Sequence, residues 1–128
     1  MTERHKRPLQ DVQRAMQIMH THAKEWNIDP DRIGVIWGSG IGGLRTFLDE
    51  VSNFAKGDGT PRFNPFFIPK MIADIASGHI SMRYGFRGPN YTTVSACASS
   101  TNALIDAFNT IRLGQADVIL SGGSEAAV

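Results

Sequence analysis

Apolar residues recur at steps of three and four between Pro8 and Trp26, which is the spacing of one face of an α-helix. Pro8 suits the first turn of such a helix and Asn27 suits its end. The pattern therefore predicts an amphipathic helix at the start of the chain, followed by a turn at residues 29–31. The apolar positions on its face are Leu9, Val12, Met16, Met19, Ala23 and Trp26.

Three later segments have the composition of β-strands. Residues 33–37 (IGVIW) are nearly all apolar, which predicts a strand covered on both faces. Residues 91–95 (YTTVS) are mostly β-branched, and residues 117–121 (DVILS) form a further short apolar run.

Helices are predicted between these strands. Their ranges are 44–56, 65–77 with Asn64 as N-cap, and 98–113 with Gly114 just past the end. The segment 78–90 is rich in glycine and is interpreted as irregular. The alternation of helices and strands predicts an α/β layered fold with a mainly parallel sheet.

Composition narrows the class of protein. Hydrophobic residues make up 41% and charged residues 20% of the 128 positions, which is typical of a globular domain. A net charge of +1 gives no field that would favour nucleic acid, and no apolar run is long enough to span a membrane. The first ten residues (MTERHKRPLQ) lack the apolar core of a secretory signal, so a cytoplasmic location is expected.

A glycine-rich motif follows the first predicted strand. Residues 38–43 (GSGIGG) match the G-x-G-x-x-G pattern of dinucleotide-binding sites. Such a site also needs a second strand ending in an acidic residue about 20 positions on. That region here is 57–65 (GDGTPRFNP), a loop by composition. We therefore expect the glycines to allow close backbone packing around a pocket, without a bound nucleotide or other cofactor.

The single cysteine, Cys97, excludes an internal disulfide and a multi-cysteine metal site. It lies on the turn from a predicted strand to a predicted helix, where the helix dipole favours a thiolate and backbone N–H groups can stabilise an oxyanion. Its small neighbours, among them Ala96 and Ala98, leave room for an acyl group. Spacing alone leaves open the alternative that Cys97 is a small buried packing residue. None of the four histidines has a local signature that connects it with Cys97.

Four strings together carry a resemblance to a known family. They are GSGIGGL (38–44), NPFFIPKMIADIASGHIS (64–81), YGFRGPNYTTVSACASSTNALIDAF (84–108) and ADVILSGGSEAA (116–127). In this order and spacing they resemble the β-ketoacyl-[acyl-carrier-protein] synthase II family, condensing enzymes of the thiolase fold. The resemblance implies a thiolase-like layered fold, present in part, with a mainly parallel sheet and a buried helix that carries the nucleophile.

The resemblance also implies a reaction. Cys97 matches the nucleophile that accepts an acyl chain from an acyl-carrier-protein thioester. A malonyl-carrier thioester then loses carbon dioxide, and its carbanion attacks the acyl-cysteine to give a β-ketoacyl chain two carbons longer. The backbone N–H of Cys97 would form one half of the oxyanion hole.

Further site residues follow from the resemblance alone. Ile41 matches the gate of the family's acyl pocket, and Ala96 and Phe67 match its lining. Phe67 would belong to the pocket of the other subunit in a homodimer. Lys6 and Arg7 lie roughly where the family places cations that dock the acidic carrier protein.

The resemblance covers under a third of a family member, so residues 1–128 are interpreted as part of the N-terminal half of a synthase domain. The two histidines, the lysine and the second oxyanion donor of the family have no counterpart in this stretch, and condensation by this part alone is not expected. A non-catalytic module for dimerisation or carrier docking, and a piece of a polyketide ketosynthase, remain alternatives. Polyketide chain-length subunits lack the cysteine, and the strings NPFFIP and RGPNYTTVSAC disfavour a thiolase.

Overall fold

The computed structural model describes residues 7–125, and within them a parallel sheet lies between helices. The strands are β1 (Ile33–Gly38), β2 (Asn90–Thr93) and β3 (Val118–Gly123). The helices are α1 (Arg7–His22), α2 (Leu44–Lys56), α3 (Phe67–Met71), α4 (Ile75–Tyr84) and α5 (Ser99–Arg112). The predicted α/β fold with a parallel sheet is confirmed.

Strand β1 is the centre of the sheet, whose order is β2-β1-β3. It pairs in parallel with both neighbours: Gly38 lies opposite Thr93 of β2 and opposite Gly123 of β3. Since parallel strands run in one direction, the three carboxyl ends lie at the same edge of the sheet.

The side chains of β1 alternate between two apolar cores. Ile33 and Val35 pack with Met16 of α1 and with Phe86, which follows α4. Ile36 points the other way and packs against Ala103 and Ala107 of α5. Ile33, Val35 and Ile36 are at most 2% exposed and Trp37 is partly buried, which confirms the prediction of a strand covered on both faces.

Helix α5 is buried on one side only, which corrects the expectation of a buried helix. Its small residues Ala103 and Ala107 lie against the sheet, where they allow a close approach. Its opposite face exposes Leu104, Ile105 and Phe108 by 51–61%. The sheet covers only the face that it contacts, and no other element among residues 7–125 covers the second face.

The segment 65–90 also differs from its prediction. One helix was expected over 65–77 and irregular structure after it, but α3 ends at Met71 and α4 begins at Ile75, after an extended Ile72. Helix α4 continues through Gly78 because Ser77 is fully buried and Ile80 packs on the core, so tertiary contacts outweigh the low helix propensity of glycine. Gly85, at φ +69°, then ends this helix.

Other element ends are close to their predictions. Helix α1 ends at His22, four residues before Trp26, and Asn27 takes the left-handed conformation at φ 54° in the turn that follows. Gly114 adopts φ 69° just after α5, as its position at a helix end predicts. The side chains of Leu9 and Val12 lie outside the described part of the chain. None of the described helices combines the length and apolar character needed to cross a membrane.

The close approach of α5 to β1 depends on Gly38. A Cβ atom placed there would lie 2.5 Å from the backbone N of Ser100. We expect Gly38→Ala to lower the free energy of unfolding by about 1–3 kcal/mol, because helix and strand must separate. The control is Gly78→Ala inside α4, where a Cβ would meet no atom within 4 Å. That variant should be more stable by about 0.5–1 kcal/mol. Urea unfolding measures both, and equal effects of the two variants would contradict the packing described here.

Candidate active site

Three loops meet where the three strands end. Residues 39–43 follow β1, residues 94–98 follow β2, and residues 124–125 follow β3. Ser39 N donates to Thr93 O at 3.1 Å, and Ser124 N donates to Gly38 O at 3.0 Å. The parallel register therefore places the glycine-rich loop and the cysteine-bearing loop side by side.

Cys97 lies in a short 3₁₀ turn, Ala96–Ala98, directly before α5. Its side chain is exposed within the described part of the chain. The preceding Ala96 has φ 49°, a left-handed conformation that is uncommon for a residue with a Cβ atom. Such strain persists only where surrounding contacts hold it, and it concentrates at functional sites.

Ser99 supplies the contacts that hold this turn. Its hydroxyl is 4% exposed and accepts a hydrogen bond from Ser95 N at 2.9 Å. Its proton can be donated to Ala96 O at 2.7 Å or to Ser39 O at 3.0 Å. One buried side chain thus connects both sides of the cysteine turn with the glycine-rich loop.

An open, mostly apolar cavity of about 430 Å³ adjoins Cys97. Ile41 and Ala96 also line it, so three of the four predicted catalytic and pocket residues come together. Gly123, Ser124 and Glu125 close its far side. Besides the nucleophile candidate, the lining consists of small residues, Ile41 and the Glu125 side chain, and its mostly apolar surface suits an acyl chain.

Phe67 does not line the Cys97 cavity but belongs to an aromatic cluster. It stacks on Phe47 and Phe63, with ring centroids 6.3 Å and 5.7 Å away. A single chain does not test whether it lines the pocket of a second subunit. Lys6 lies outside the described residues and so does the side chain of Arg7, so their docking role stays a prediction.

Glu125 is the site residue that the sequence analysis missed. Its Oε2 accepts hydrogen bonds from the backbone N of Gly40, from Ile41 N at 3.1 Å and from Ser39 Oγ at 3.1 Å. Its Oε1 accepts one from Gly42 N at 3.1 Å. The N–H groups of Gly40 and Ile41, followed by the Ser39 hydroxyl and Gly42 N–H, lower the pKa of Glu125 because they stabilise its carboxylate.

This carboxylate explains the glycine-rich motif. The backbone N–H groups that would bind a phosphate in a dinucleotide site are already paired with Glu125. The expected close packing is confirmed as well. A Cβ atom at Gly42 would lie 2.4 Å from Met71 O, and one at Gly43 would lie 2.2 Å from Lys70 O. The acidic residue in GGSE, after a predicted strand, was the signal that could have indicated this contact.

The described histidine side chains are remote from this cavity. His22 stacks on Trp26 with ring centroids 5.0 Å apart, and its Nδ1 lies 2.7 Å from Glu25 Oε2. His79 lies on α4, exposed. Neither lines the Cys97 cavity, so neither serves as a base for the thiol within the part of the chain that is described.

Comparison with known proteins decides the family. The sequence model of "Beta-ketoacyl synthase, N-terminal domain" matches residues 5–128. The chain belongs to the β-ketoacyl synthase family. The resemblance that the four strings carry is therefore confirmed.

Two similar curated relatives are named 3-oxoacyl-[acyl-carrier-protein] synthases. The chain is 46% identical over 99 residues to 3-oxoacyl-[acyl-carrier-protein] synthase 2 of Staphylococcus aureus, which covers 77% of this chain and 24% of that protein. It is 41% identical over 100 residues to the mitochondrial 3-oxoacyl-[acyl-carrier-protein] synthase of Arabidopsis thaliana, covering 78% and 22%. The chain thus spans about a quarter of the length of these β-ketoacyl synthases.

Solved ketosynthases share the fold. The match with AntDE:AntF, a type II PKS acyl-carrier protein in complex with its ketosynthase bound to the hexaketide, has a TM-score of 0.70 at 28% identity. It covers 77% of this chain and 28% of that one. The ishigamide ketosynthase/chain length factor matches with a TM-score of 0.69 at 25% identity, covering 75% and 27%.

The Glu125 contact predicts a dependence of stability on pH. Its pKa is lowered in the folded protein, so the unfolded chain binds the proton more readily. The stabilisation is therefore fully present above the ordinary value of 4.5 and is lost as the pH falls through the lowered folded value. We expect wild type to resist urea better than Glu125→Gln at pH 7, and the two midpoints to converge as the pH falls through the lowered pKa of Glu125.

Asp58→Asn is the matched control for this series. The pKa of Asp58 is also lowered, by the N–H and hydroxyl of Thr60, but this contact lies within one exposed turn. Its removal should change the urea midpoint less than Glu125→Gln does. A difference between wild type and Glu125→Gln that stayed constant from pH 7 to pH 3 would contradict the assignment.

Proposed function

We propose that this chain provides the acyl-accepting site of a 3-oxoacyl-[acyl-carrier-protein] synthase, with Cys97 as the nucleophile. The observation that carries the proposal is the exposed Cys97 thiol on a strained turn at the start of α5, beside a mostly apolar cavity. The 46% identity to a 3-oxoacyl-[acyl-carrier-protein] synthase supports this reaction class.

The first half-reaction is a transfer between two sulfur atoms. The Cys97 thiolate attacks the carbonyl carbon of an acyl thioester on the carrier protein, and a tetrahedral intermediate forms. When it collapses, the bond to the carrier sulfur breaks and the carrier leaves as a thiolate that takes up a proton. The acyl group remains on Cys97 as a new thioester, with its chain directed into the cavity. The positive end of α5 stabilises the thiolate that starts this step.

The oxyanion of the intermediate needs donors from outside the glycine-rich loop. The N–H groups of Gly40, Ile41 and Gly42 are already hydrogen-bonded to Glu125, so they are not available to it. The backbone N–H of Cys97 itself is the donor that we assign within this chain. A second donor would come from other parts of the enzyme.

The second half-reaction extends the chain. A malonyl-carrier thioester loses carbon dioxide, and the resulting carbanion attacks the carbonyl of acyl-Cys97, which releases the thiolate of Cys97 and a β-ketoacyl thioester on the carrier. This step calls for proton donors and an electrostatic sink for the decarboxylation. His22 and His79 do not line the cavity, so these groups belong outside the described residues.

Polyketide synthesis is the second candidate, since AntDE:AntF and the ishigamide proteins are the structural neighbours. We favour fatty-acid synthesis because identity to the fatty-acid enzymes reaches 46%, against 28% and 25% for those ketosynthases. An acyl carrier protein is the proposed partner in either pathway, as it is for the ketosynthase of AntDE:AntF. A homodimer with Phe67 in the shared pocket, carrier docking at Lys6 and Arg7, and a cytoplasmic location remain predictions.

The test of this function is acylation of Cys97. The protein is incubated with a butyryl-carrier-protein thioester, and the mass of the peptide that contains Cys97 is measured. We expect one butyryl group on that peptide, removed by hydroxylamine as a thioester is, and none in Cys97→Ala.

A folded chain that reacts with iodoacetamide at Cys97 but takes no acyl group from the carrier would contradict the proposal. That outcome would instead favour a non-catalytic module. Because the sequence has one cysteine, alkylation reports this thiol alone.

A further inference from the structure

The glycine-rich loop separates two cavities. On one side lies the Cys97 cavity, and on the other lies a smaller cavity of about 260 Å³. Ser39, Ser124 and Glu125 line both, so these residues form the wall between them together with the loop. The smaller cavity has an apolar side made by Ile72 and its neighbours Ala73, Ile75 and Ala76.

The middle of this wall is held through one carboxylate. At its two ends the loop is anchored to backbone: Ser39 N donates to Thr93 O, and Gly43 N donates to Met71 O at 2.9 Å. The three N–H groups between these anchors, at Gly40, Ile41 and Gly42, all donate to Glu125. Glycines on both sides of Ile41 give this segment unusual backbone freedom, so its conformation depends on those hydrogen bonds.

Ile41 is the part of the wall that faces the nucleophile. It is the one residue in 40–43 with a side chain, it lines the Cys97 cavity, and it is 62% exposed, so little packing fixes it apart from its backbone. The next two residues, Gly42 and Gly43, line the second cavity, so a shift of the segment 40–43 would join the space beside Cys97 to the second cavity.

We propose that Glu125 is a positioning residue that holds this wall closed and thereby limits the length of the acyl chain that Cys97 accepts. The inference rests on the proposed function and assigns a role to a residue remote in sequence from both Cys97 and Ile41. Its proposed role is exerted through the placement of Ile41, whose backbone N–H donates a hydrogen bond to Glu125.

The variant Glu125→Gln keeps the side-chain length but turns one acceptor into a donor that faces backbone N–H groups. We measure second-order acylation of Cys97 in the full-length protein, with butyryl- and dodecanoyl-carrier thioesters. The ratio of the butyryl to the dodecanoyl rate constant should fall by about tenfold, the size of effect that a few methylene groups in a pocket produce.

Glu50→Gln is the matched control. Glu50 on α2 also accepts a backbone hydrogen bond, from Asn64 N at 3.2 Å, but it lies away from both cavities. The same chemical change there should leave the ratio of rate constants unchanged. Equal effects of the two variants would overturn the positioning role.

A double-mutant cycle separates positioning from general damage. Ile41→Ala alone should also lower the ratio, and Glu125→Gln should have no further effect on it in that background, because Ile41 is the group through which Glu125 acts. Independent, multiplying effects of the two substitutions would overturn the proposal. So would an unchanged ratio in a Glu125→Gln protein that still acylates Cys97.

A second measurement needs no variant and covers the case in which Glu125→Gln does not fold. In wild type the amide proton resonances of Gly40, Ile41 and Gly42 should move together as the pH falls below 4.5, since they share one carboxylate. Separate or absent shifts would show that Glu125 does not hold these three N–H groups together. If wild type accepts no acyl group at all, the proposed function is wrong and so is the role in chain length. The titration still tests whether Glu125 holds the glycine-rich loop.

Discussion

Strand β1 pairs in parallel on both edges, and the position of every site residue follows from that pairing. The register that sets Gly38 opposite both Thr93 and Gly123 brings three strand ends to one line. Each strand then delivers one part of the site: the glycine-rich loop, the cysteine turn, and the segment that carries Glu125. The two cores on either face of β1 hold this arrangement, since its apolar side chains are almost fully buried.

Polar contacts then join the three loops into one unit. Ser99 connects the cysteine turn to Ser39, and Ser39 donates its hydroxyl proton to Glu125. Ser124, next to Glu125, accepts a hydrogen bond from Trp37 Nε1 at 2.9 Å. The cysteine turn, the glycine-rich loop and the Glu125 carboxylate are therefore connected by hydrogen bonds, and such preorganisation is what the proposed acyl transfer would use.

Structural features that depend on residues close in sequence were predicted well. The apolar run of β1 indicated a strand buried on both sides, because this depends on residues close in sequence. Spacing alone left the exposure of Cys97 open, because exposure depends on which distant segments pack around the turn. The extent of α4 was wrong, since burial of Ser77 and Ile80 by the sheet outweighs the glycine at position 78. Ile41 and Ala96 line the same cavity as Cys97, while Phe67 lies in a separate aromatic cluster.

The contact between Glu125 and the glycine-rich loop could not be predicted from local sequence pattern. Glu125 follows Gly40 by 85 positions, so periodicity and spacing carry no signal for their contact. The glycine-rich loop was expected to allow close backbone packing, and its N–H groups are in addition paired with a carboxylate of the same protein. A loop rich in unpaired N–H groups needs some partner, and an acidic residue after a neighbouring parallel strand is within reach of it.

The central claim is that an acyl group on Cys97 extends into the cavity formed by these three loops. Photo-crosslinking tests it most directly: a short acyl chain with a terminal diazirine is transferred to Cys97, irradiated, and the attached residues are mapped by mass spectrometry. The account predicts attachment within residues 39–43 and 123–125, with Ile41 among the labelled residues. Attachment confined to the exposed face of α5, or to solvent-facing residues away from these loops, would contradict it.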